Sequence, residues 1–268
     1  MQITDLIIYP VKGARGCSLQ QASIGPMGLQ GDRIFTLLFE GKLANQKQVP
    51  KLVEIQPTWL SDGSLSLSHD GMQDFTLTPS PMGKHKSVDI YSQQVPIIDQ
   101  GEDVAKWFSA ATGQDVRLVM MAEAVDWFLP LPEFASVHGQ KQAKFVDAAP
   151  ILLTNQNSLK DLNARLTIDV PMERFRANIV VSGLAAYEED QQQNYRAADV
   201  LLTRVTVCER CIVTTMDQQD GTMKKEPLKT LSKYRKRAND YAGGIVFGSY
   251  LTTQDAGRLN VGDIFHNS

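Results

Sequence analysis

The first hundred positions alternate between short apolar runs and polar turns, a pattern typical of β-strands. Turn signals such as Asp62-Gly63 and Asp70-Gly71 separate the runs, which are too short for helices. We therefore predict five strands in this part, over residues 3–9, 33–40, 51–55, 65–68 and 87–91. Short strands with regular turn signals indicate a small barrel or sandwich.

Helical spacing first occurs at residues 99–113, where apolar residues recur every three or four positions. Asp99 is a suitable N-cap for this helix, and Gly113 is a suitable glycine at its C-terminal end. We predict further helices over 157–163 and 228–237. These helices are few, and they interrupt a chain that otherwise consists of strand patterns.

Short apolar runs in the second half predict strands over 151–153, 175–182, 200–207, 245–251 and near Ile264. We expect Asn157 or Ser158 to cap the helix at 157–163. The pattern changes around residues 93–100, so we expect two domains, 1–95 and 96–268. The predicted fold class is mainly β with a few helices: one β-barrel domain and a smaller N-terminal β-barrel domain.

Composition restricts the classes of function that need to be considered. The chain has 268 residues, of which 43% are hydrophobic, so it is able to bury a substantial core. Its net charge is −3 at pH 7, which speaks against a nucleic-acid partner because long nucleic-acid grooves carry a basic excess. No apolar run approaches the roughly 18 residues of a membrane span, so we expect no membrane partner.

Cysteine use indicates the compartment. The chain holds only Cys17, Cys208 and Cys211, and it starts with a strand-like segment rather than a basic leader. Few cysteines without a secretory signal are typical of a reducing compartment. We therefore expect a cytoplasmic protein.

The pair Cys208 and Cys211 encloses Arg210, whose guanidinium favours a thiolate. The pair precedes β-branched residues and the histidines are scattered, which disfavours a thioredoxin-like motif and a four-ligand zinc site. Residues three apart on a strand face opposite sides, so the two sulfurs share a site only if a turn intervenes at Glu209-Arg210. Parity with Val207 favours Cys211 as one inward- or cleft-facing active sulfur. Two inert buried thiols are the alternative.

Arg174, Arg176 and Asn178 alternate with apolar residues, so period two predicts that they share one face of a strand. Guanidinium groups bind phosphate or carboxylate, and an asparagine both donates and accepts hydrogen bonds. These residues indicate a site for an anion or a heterocycle. An ordinary solvated sheet face explains the same alternation.

Two segments place a cation close to glycine, one at Lys12 and one at Arg33. Glycine lets a backbone approach a phosphate closely, although the spacing matches neither a P-loop nor a dinucleotide motif. Exposed turn residues are the alternative. A third basic segment, residues 224–237, reads as a solvated helix face that is also able to line an anionic pocket or dock an acidic partner.

In their order, these segments resemble MOSC-domain proteins that carry an N-terminal β-barrel domain, here 1–95 before a MOSC domain at 96–268. The matching blocks are YPVKGARG, GLQGDR, LLTNQNSLKDLN, RFRANIVVSG, CERCIVTTMD, EPLKTL and FGSYL, ending in VGD. The RFRxN block and the CxRC block are the most specific. The relatives that this pattern implies are bacterial YcbX-type proteins and the mitochondrial amidoxime-reducing component.

The resemblance implies a molybdenum cofactor, in which a pterin dithiolene holds the metal and a protein cysteine adds a sulfur. The metal ligand maps to Cys211. The phosphate of the cofactor maps to Lys12 and Arg33, and the pterin to Arg176 and Asn178. Further residues are implied more weakly, with pterin contacts at Thr154, Ser158 and Thr215 and a catalytic position near the metal, beside Cys211, at Asp217.

The implied activity is reduction of N-hydroxylated compounds, such as hydroxylamines, amidoximes or N-hydroxy nucleobases. Three cysteines are too few for an iron–sulfur cluster with four cysteine ligands, so we expect electrons from a ferredoxin- or flavin-type partner protein. A non-catalytic carrier of sulfur or cofactor, and a plain thiol–disulfide protein, stay open as alternatives. One departure is Gly13, where many relatives carry serine after the lysine.

Overall fold

The computed structural model describes residues 1–90, 92–126, 131–237 and 244–266. Within these ranges the expected mainly β fold with few helices is confirmed. The strands of the first half are β1 (Gln2–Ile8), β2 (Cys17–Leu19), β3 (Gln21–Gly25), β4 (Gly28–Leu29), β5 (Phe35–Phe39), β6 (Lys42–Leu43), β7 (Gln56–Trp59), β8 (Leu65–Ser68), β9 (Phe75–Leu77), β10 (Lys84–Ile90), β11 (Gln93–Asp99) and β12 (Val116–Met121).

The second half continues with shorter strands and one long one. These strands are β13 (Val125–Asp126), β14 (Lys141–Gln142), β15 (Ile151–Asn155), β16 (Ile179–Ser182), β17 (Asn194–Ala197), β18 (Val200–Glu209), β19 (Val246–Thr252) and β20 (Gly257–Asn260). The α-helices are α1 (Glu102–Thr112), α2 (Gln156–Asn163) and α3 (Leu228–Leu231).

The largest sheet joins the two ends of the sequence. Its seven strands run in the order β17-β18-β19-β15-β16-β1-β2, so the first strand of the chain pairs with the next strand, β2, on one side and with the remote β16 on the other. Leu6, Leu153 and Ile179 are fully buried in the core beside this sheet. Burying these apolar side chains stabilises the sheet by about 1.5–3 kcal/mol each.

A second sheet, in the order β10-β11-β12-β5-β6, packs with α1 around a separate core. The expected boundary at residues 95/96 falls inside β11, because that strand continues to Asp99. The sheet then extends past α1 to β12, which pairs with both β11 and β5. Both β11 and β12 therefore belong to the sheet of the first half, and α1 connects them.

One row of paired residues across the large sheet shows where the RFRxN block and the CxRC block meet. The strand registers align five residues on adjacent strands, namely Val207, Ser249, Leu153, Ile179 and Leu6. Cys208 follows this row directly on β18, and Asn178 precedes it directly before β16. The two motifs, separated by thirty positions in the numbering, therefore come together through strand pairing.

The strand predicted over 51–55 is wrong, because Pro50–Glu54 forms a 3-10 helix. Pro50 starts this turn, and proline suits a first helical turn because it has no N–H to give. Leu52 and Val53 are buried from the turn. A short apolar run does not by itself distinguish a strand from a helical turn.

The predicted helix over 99–113 starts later than expected. Asp99 ends β11 and is not the N-cap; its carboxylate accepts the N–H of Gly101 at 3.0 Å and pairs with Arg117. The expected C-terminal glycine is confirmed, since Gly113 has φ 71° in the left-handed region. The helix itself covers Glu102–Thr112.

The ends of other predicted helices and strands also differ from those in the structure. The cap of α2 is Asn155, whose side chain accepts the N–H of Asn157. The third helix, predicted over 228–237, is α-helical only over Leu228–Leu231. The predicted strand at Ile264 is an isolated bridge to Gln2. Of the strand predicted over 87–91, Tyr91 lies outside the described residues.

Candidate functional site

A cavity of about 390 Å³ opens between the loops of both halves of the chain. Its wall carries six cationic side chains, from Lys12, Arg33, Lys47, Arg174, Arg176 and Arg210. Both cysteines of the CxRC block line it, and an apolar wall faces it, formed by Val146, Ala148, Ala149, Leu152 and Tyr250. The cavity therefore combines positive charge, thiols and an apolar surface.

The two sulfurs have different environments. Cys208 is 1% exposed and packs against Leu152 and Ala177, near the end of β18. The strand ends at Glu209, and Cys211 is exposed at the start of a 3-10 helix, Ile212–Thr215. The chain thus turns between the cysteines, which is the condition under which both reach one site. Cys211 is the accessible thiol.

Arg210 lies between the two cysteines and holds the loop in place. Its Nη1 donates to Cys208 Sγ at 2.9 Å and its Nη2 donates to the carbonyl of Phe175 at 2.6 Å. Burial by itself lowers the pKa of Arg210, but the neighbouring sulfurs outweigh this and the pKa is raised. Arg210 therefore stays a cation beside the cysteines.

Tyr9 organises two further cations. The guanidinium carbons of Arg33 and Arg176 lie 4.8 Å and 4.2 Å from the centre of its ring. Contacts of this kind stabilise a cation by about 0.5–2 kcal/mol. Arg33 also pairs with the buried Asp32 and donates to the Arg176 carbonyl at 3.2 Å. One tyrosine ring and one buried carboxylate therefore fix the positions of both arginines.

Arg176 is the least compensated of these cations. Its Nη1 donates to the carbonyl of Ala14 at 2.8 Å, and burial lowers its pKa to about 10. Throughout the described ranges, no carboxylate lies within ion-pair distance of Arg176, Arg210 or Lys47. A buried cation without an anionic partner is costly, and an anionic ligand removes that cost.

The predicted sharing of one strand face by Arg174, Arg176 and Asn178 is wrong in its geometry. Met172–Phe175 forms a 3-10 helix, Arg176 has φ 54°, and β16 starts only at Ile179. The three side chains nevertheless line the same cavity. A helical turn with a left-handed residue places them there instead of a pleated strand.

Asn178 joins three strands at the cavity. Its Oδ1 accepts the N–H of Leu152 at 3.1 Å and a guanidinium N–H of Arg33 at 3.2 Å. Its Nδ2 donates to the carbonyl of Ile7 at 3.2 Å. Asn178 therefore holds β15, β1 and Arg33 together at the wall.

Lys12 and Gly13 reach the cavity from the loop after β1. Lys12 Nζ pairs with Asp147 at 2.6 Å, and Asp147 is largely exposed. Gly13 has φ +91°, and a Cβ there would lie 2.8 Å from Leu52 Cδ1. A serine at this position would therefore be strained, which explains physically why glycine stands after the lysine in this chain.

Unsatisfied polar atoms mark the wall as a binding surface. Among the described residues, buried side-chain atoms without a hydrogen-bond partner include Gln46 Oε1, Arg174 Nε and Arg210 Nε, and all three residues line the cavity. Buried polar groups are normally paired. A polar anionic ligand of a few hundred Å³ fits this donor set, and one exposed thiol at its edge offers a soft metal ligand.

The other predicted site residues do not line this cavity. Thr154 donates to Met172 Sδ, and Thr215 donates to the carbonyl of Ile212 at 2.7 Å. Asp217 pairs with Arg174 at 2.7 Å. These groups use their polar atoms within the protein, so they act on the cavity at most through the residues that they hold.

Ser158 belongs to a second buried polar cluster, formed with Glu189, Asp190, Arg235 and Arg237. Ser158 Oγ donates to the Glu189 carboxyl at 2.6 Å, and Arg235 and Arg237 both pair with Asp190. Burial raises the pKa of Glu189 to about 7, and the neighbouring Asp190 adds to this. This cluster lies away from the thiols and neutralises most of its charge internally.

Sequence reasoning missed Tyr9, Gln46 and Asp147 as parts of the site. Tyr9 belongs to the YPVK block, so its place beside Lys12 in that block could have identified it as part of the site. Gln46 Nε2 donates to the carbonyl of Gly13 at 2.8 Å, but nothing in its local sequence marks it. Asp147 likewise lies in an unremarkable loop.

Two searches of the described residues bear on cofactors and membranes. No group of three or more His, Cys, Asp or Glu side chains able to hold a metal ion occurs within the ranges given above. In the same ranges, no helix has both the length and the apolar character needed to cross a membrane.

Comparison with known families gives two matches. The family described as "MOSC N-terminal beta barrel domain" matches residues 1–115, and the family described as "MOSC domain" matches residues 140–266. Together they cover most of the chain, in the order that the sequence blocks suggested. The first match extends beyond residue 95, as does the sheet of the first half.

Curated relatives align with almost the whole chain. "Mitochondrial amidoxime reducing component 2" of Bos taurus is 31% identical, over 97% of this chain and 81% of the relative. "Mitochondrial amidoxime-reducing component 1" of Homo sapiens is 34% identical with the same coverage. Among solved structures, the YUAD protein from Bacillus subtilis aligns with 98% of this chain and 92% of that chain, but a TM-score of 0.41 at 10% identity is too low to carry an argument.

The names of these relatives contradict the expected cytoplasmic location, since they place the relatives in mitochondria. The expectation was wrong because the scarce cysteines on which it rested indicate only a reducing compartment. These features do not distinguish one such compartment from another.

Proposed function

The chain belongs to the amidoxime-reducing component family of MOSC-domain proteins, and on that premise we propose that it is a reductase of N-hydroxylated compounds that uses a molybdenum–pterin cofactor. The observation that carries this proposal is the position of the exposed Cys211 thiol at a cavity lined by Lys12, Arg33 and Arg176. Four separate sequence blocks meet there, and a single anionic, metal-bearing ligand accounts for all of them.

The cofactor fits the residues of the wall. Its phosphate needs cations and N–H donors, which Lys12 and Arg33 provide, and Arg176 beside Arg33 extends the positive charge toward the pterin. Gln46, Arg174 and Arg210 line the same wall, and each keeps one buried polar side-chain atom unpaired. When bound, the cofactor supplies the two-electron redox chemistry that cleaves an N–O bond.

The protein's own part is positioning, electrostatics and access. Cys211 provides a soft thiolate ligand, and Arg210 maintains positive charge beside it. Arg33 and Arg176 are held by Tyr9 and act on the anionic tail. The apolar wall around Tyr250 limits the water that reaches the reacting group and accommodates the carbon skeleton of a substrate.

Reduction of an N–OH group to N–H consumes two electrons and two protons and releases one water molecule. The electrons therefore come from a separate donor protein. A carrier of sulfur or cofactor would also expose one thiol, so the exposure of Cys211 favours this second function as well. Turnover separates the two functions.

The test is expression in a host that makes the molybdenum cofactor, followed by two measurements. The first is molybdenum per polypeptide; the second is turnover of benzamidoxime with reduced methyl viologen. We expect near-stoichiometric metal and turnover in the wild type, and loss of both in Cys211→Ser. Cys208→Ser is the matched control, because its hydroxyl still accepts from Arg210, and it should keep the metal.

Three outcomes would contradict the proposal. Bound cofactor without turnover would identify a carrier. Metal loss in Cys208→Ser but not in Cys211→Ser would overturn the ligand assignment. Equal dependence on both thiols without any molybdenum would identify a thiol–disulfide protein.

A further inference from the structure

A stripe of lysines lies on the segment that follows the cysteine loop. The segment 224–237 contains seven cationic residues and one carboxylate, in a chain whose net charge is −3. Lys225, Lys229 and Lys233 are spaced four apart and exposed, and i to i−4 bonds run from Lys229 to Lys225 and from Arg235 to Leu231. These three exposed lysines, which lie just before, within and just after α3, are hereafter the lysine stripe.

The lysine stripe is not needed for the fold. Like charges four apart destabilise a helix by a few tenths of a kcal/mol per pair. No ion pair is recorded for these lysines within the described part of the chain, whereas Arg235 on the same segment pairs with Asp190. Glu226, between the first two of these lysines, accepts the N–H of Thr230 at 3.0 Å. Within the described residues the lysine stripe therefore has no ion-pair partner.

An apolar area joins the lysine stripe to the thiol. Ile212, which follows Cys211 directly, is 48% exposed, and Met223 is 41% exposed. Backbone bonds connect them: Met223 forms a bridge to Met216, and Lys224 donates to the carbonyl of Thr215 at the end of the cysteine loop. Exposed apolar side chains beside uncompensated charge are typical of a small, transient interface.

We propose that the lysine stripe, with Ile212 and Met223, docks a small acidic electron-carrier protein beside Cys211. This rests on the proposed function, because only a reductase needs the two electrons that such a carrier brings. A one-electron carrier docks twice in each turnover, and each docking moves one electron to the cavity. Charge complementarity speeds association, and the small apolar contact permits rapid release.

The test uses an acidic [2Fe–2S] ferredoxin as the probe, with the full chain. The variant Lys225→Glu/Lys229→Glu/Lys233→Glu reverses the stripe. The matched control, Lys42→Glu/Lys84→Glu/Lys106→Glu, changes the net charge equally at exposed lysines elsewhere. Binding is measured by calorimetry at low and high salt, and turnover by benzamidoxime reduction with either reduced ferredoxin or reduced methyl viologen.

We expect reversal of the stripe to weaken ferredoxin binding and to raise the KM for ferredoxin by at least tenfold, with a smaller salt dependence. Turnover with methyl viologen should stay within twofold, and the control should change both ferredoxin values by less than threefold. A neutral variant, Lys225→Gln/Lys229→Gln/Lys233→Gln, should fall between wild type and the reversal, which guards against misfolding of the reversed chain.

Equal weakening in both triple variants would show that net charge alone matters and would overturn the docking site. Unchanged ferredoxin binding after reversal of the stripe would overturn it as well. Failure of the wild type to turn over with methyl viologen would contradict the reductase function instead, and the calorimetric arm would still report on docking. The two failures are therefore distinguishable.

Discussion

The cavity beside Cys211 and the cluster around Glu189 are both buried and polar, yet they treat charge in opposite ways. In the cluster, Asp190 faces two arginines and Glu189 accepts from Ser158. In the cavity, cations outnumber carboxylates, and within the described residues the guanidinium of Arg176 meets one carbonyl, one amide oxygen and one aromatic ring. The first arrangement stabilises the fold, whereas the second leaves cations that an anionic ligand would neutralise.

This difference teaches how to recognise a binding site among buried polar groups. A structural cluster pairs its opposite charges from within, so removing one member costs stability. A ligand site leaves donors unsatisfied, so removing one member costs affinity and little stability. Substitutions in the cluster should therefore lower the free energy of unfolding. Substitutions in the cavity should instead lower ligand retention.

The largest expected effect is in the cluster. Arg235→Met leaves the buried Asp190 with Arg237 alone, and breaking such a pair costs about 3–5 kcal/mol. Urea unfolding at pH 7 measures this loss. Arg235→Lys keeps the charge and should lose less. An Arg235→Met protein as stable as wild type would break the comparison.

The pH dependence of stability should also come from the cluster. Burial raises the pKa of Glu189 from 4.5 to about 7, so its contribution to folding is complete below about pH 4.5 and is lost as the pH rises through 7. The loss amounts to about 3 kcal/mol. Glu189→Gln should flatten the curve of unfolding free energy between pH 5 and pH 8. An unchanged slope would show that other groups set it.

A smaller effect is expected at the cavity. Arg176→Met removes charge-assisted hydrogen bonds to an anionic ligand, each worth about 1.5–3 kcal/mol, so cofactor retention should fall about 10- to 100-fold. The melting temperature should stay nearly constant, because no carboxylate loses its partner. Arg15→Met, outside the cavity wall, is the control. Molybdenum content after dialysis gives the readout, and a large loss of stability would place Arg176 with the structural cluster.

The smallest effect concerns the one exposed carboxylate at the cavity. Asp147→Asn frees Lys12, and exposed pairs contribute at most about 1 kcal/mol, so anion affinity should rise two- to fivefold at low salt. The thermal shift caused by inorganic phosphate measures this, and about 1 M salt should abolish the gain. Asp126→Asn, which breaks the surface pair with Lys141, should have no effect. A gain that persists in high salt would rule out the electrostatic explanation.

The sequence predicts those parts of this molecule that depend on local pattern. The mainly β class and the glycine after α1 follow from short runs of residues, whereas the meeting of Lys12, Arg33 and Cys211 at one site follows from the resemblance of their blocks to one family. The meeting of those blocks was predictable because one ligand would use them together. Local pattern failed where long-range packing decides, as in the 3-10 turn at Pro50–Glu54.

The remaining errors have the same origin. A period-two argument does not reveal that the backbone of Arg176 is left-handed. The local sequence likewise does not reveal that Asn155, rather than Asn157 or Ser158, caps α2. Gln46 reaches the cavity only because the first half of the chain folds against the second. No local signal marks a residue whose role is created by a partner about 170 positions away.

The insertion of β1 into the seven-stranded sheet has a consequence for synthesis. Gln2 pairs with Ser182, so the first strand to leave the ribosome waits for a neighbour about 180 residues behind it. At about 5–20 residues per second, that delay lasts roughly 10 to 35 s. Throughout it, the edge of this apolar strand that later pairs with β16 is exposed to other nascent chains. Shielding by a chaperone during this interval, rather than the final stability of the barrel, is therefore what should limit the yield of folded protein.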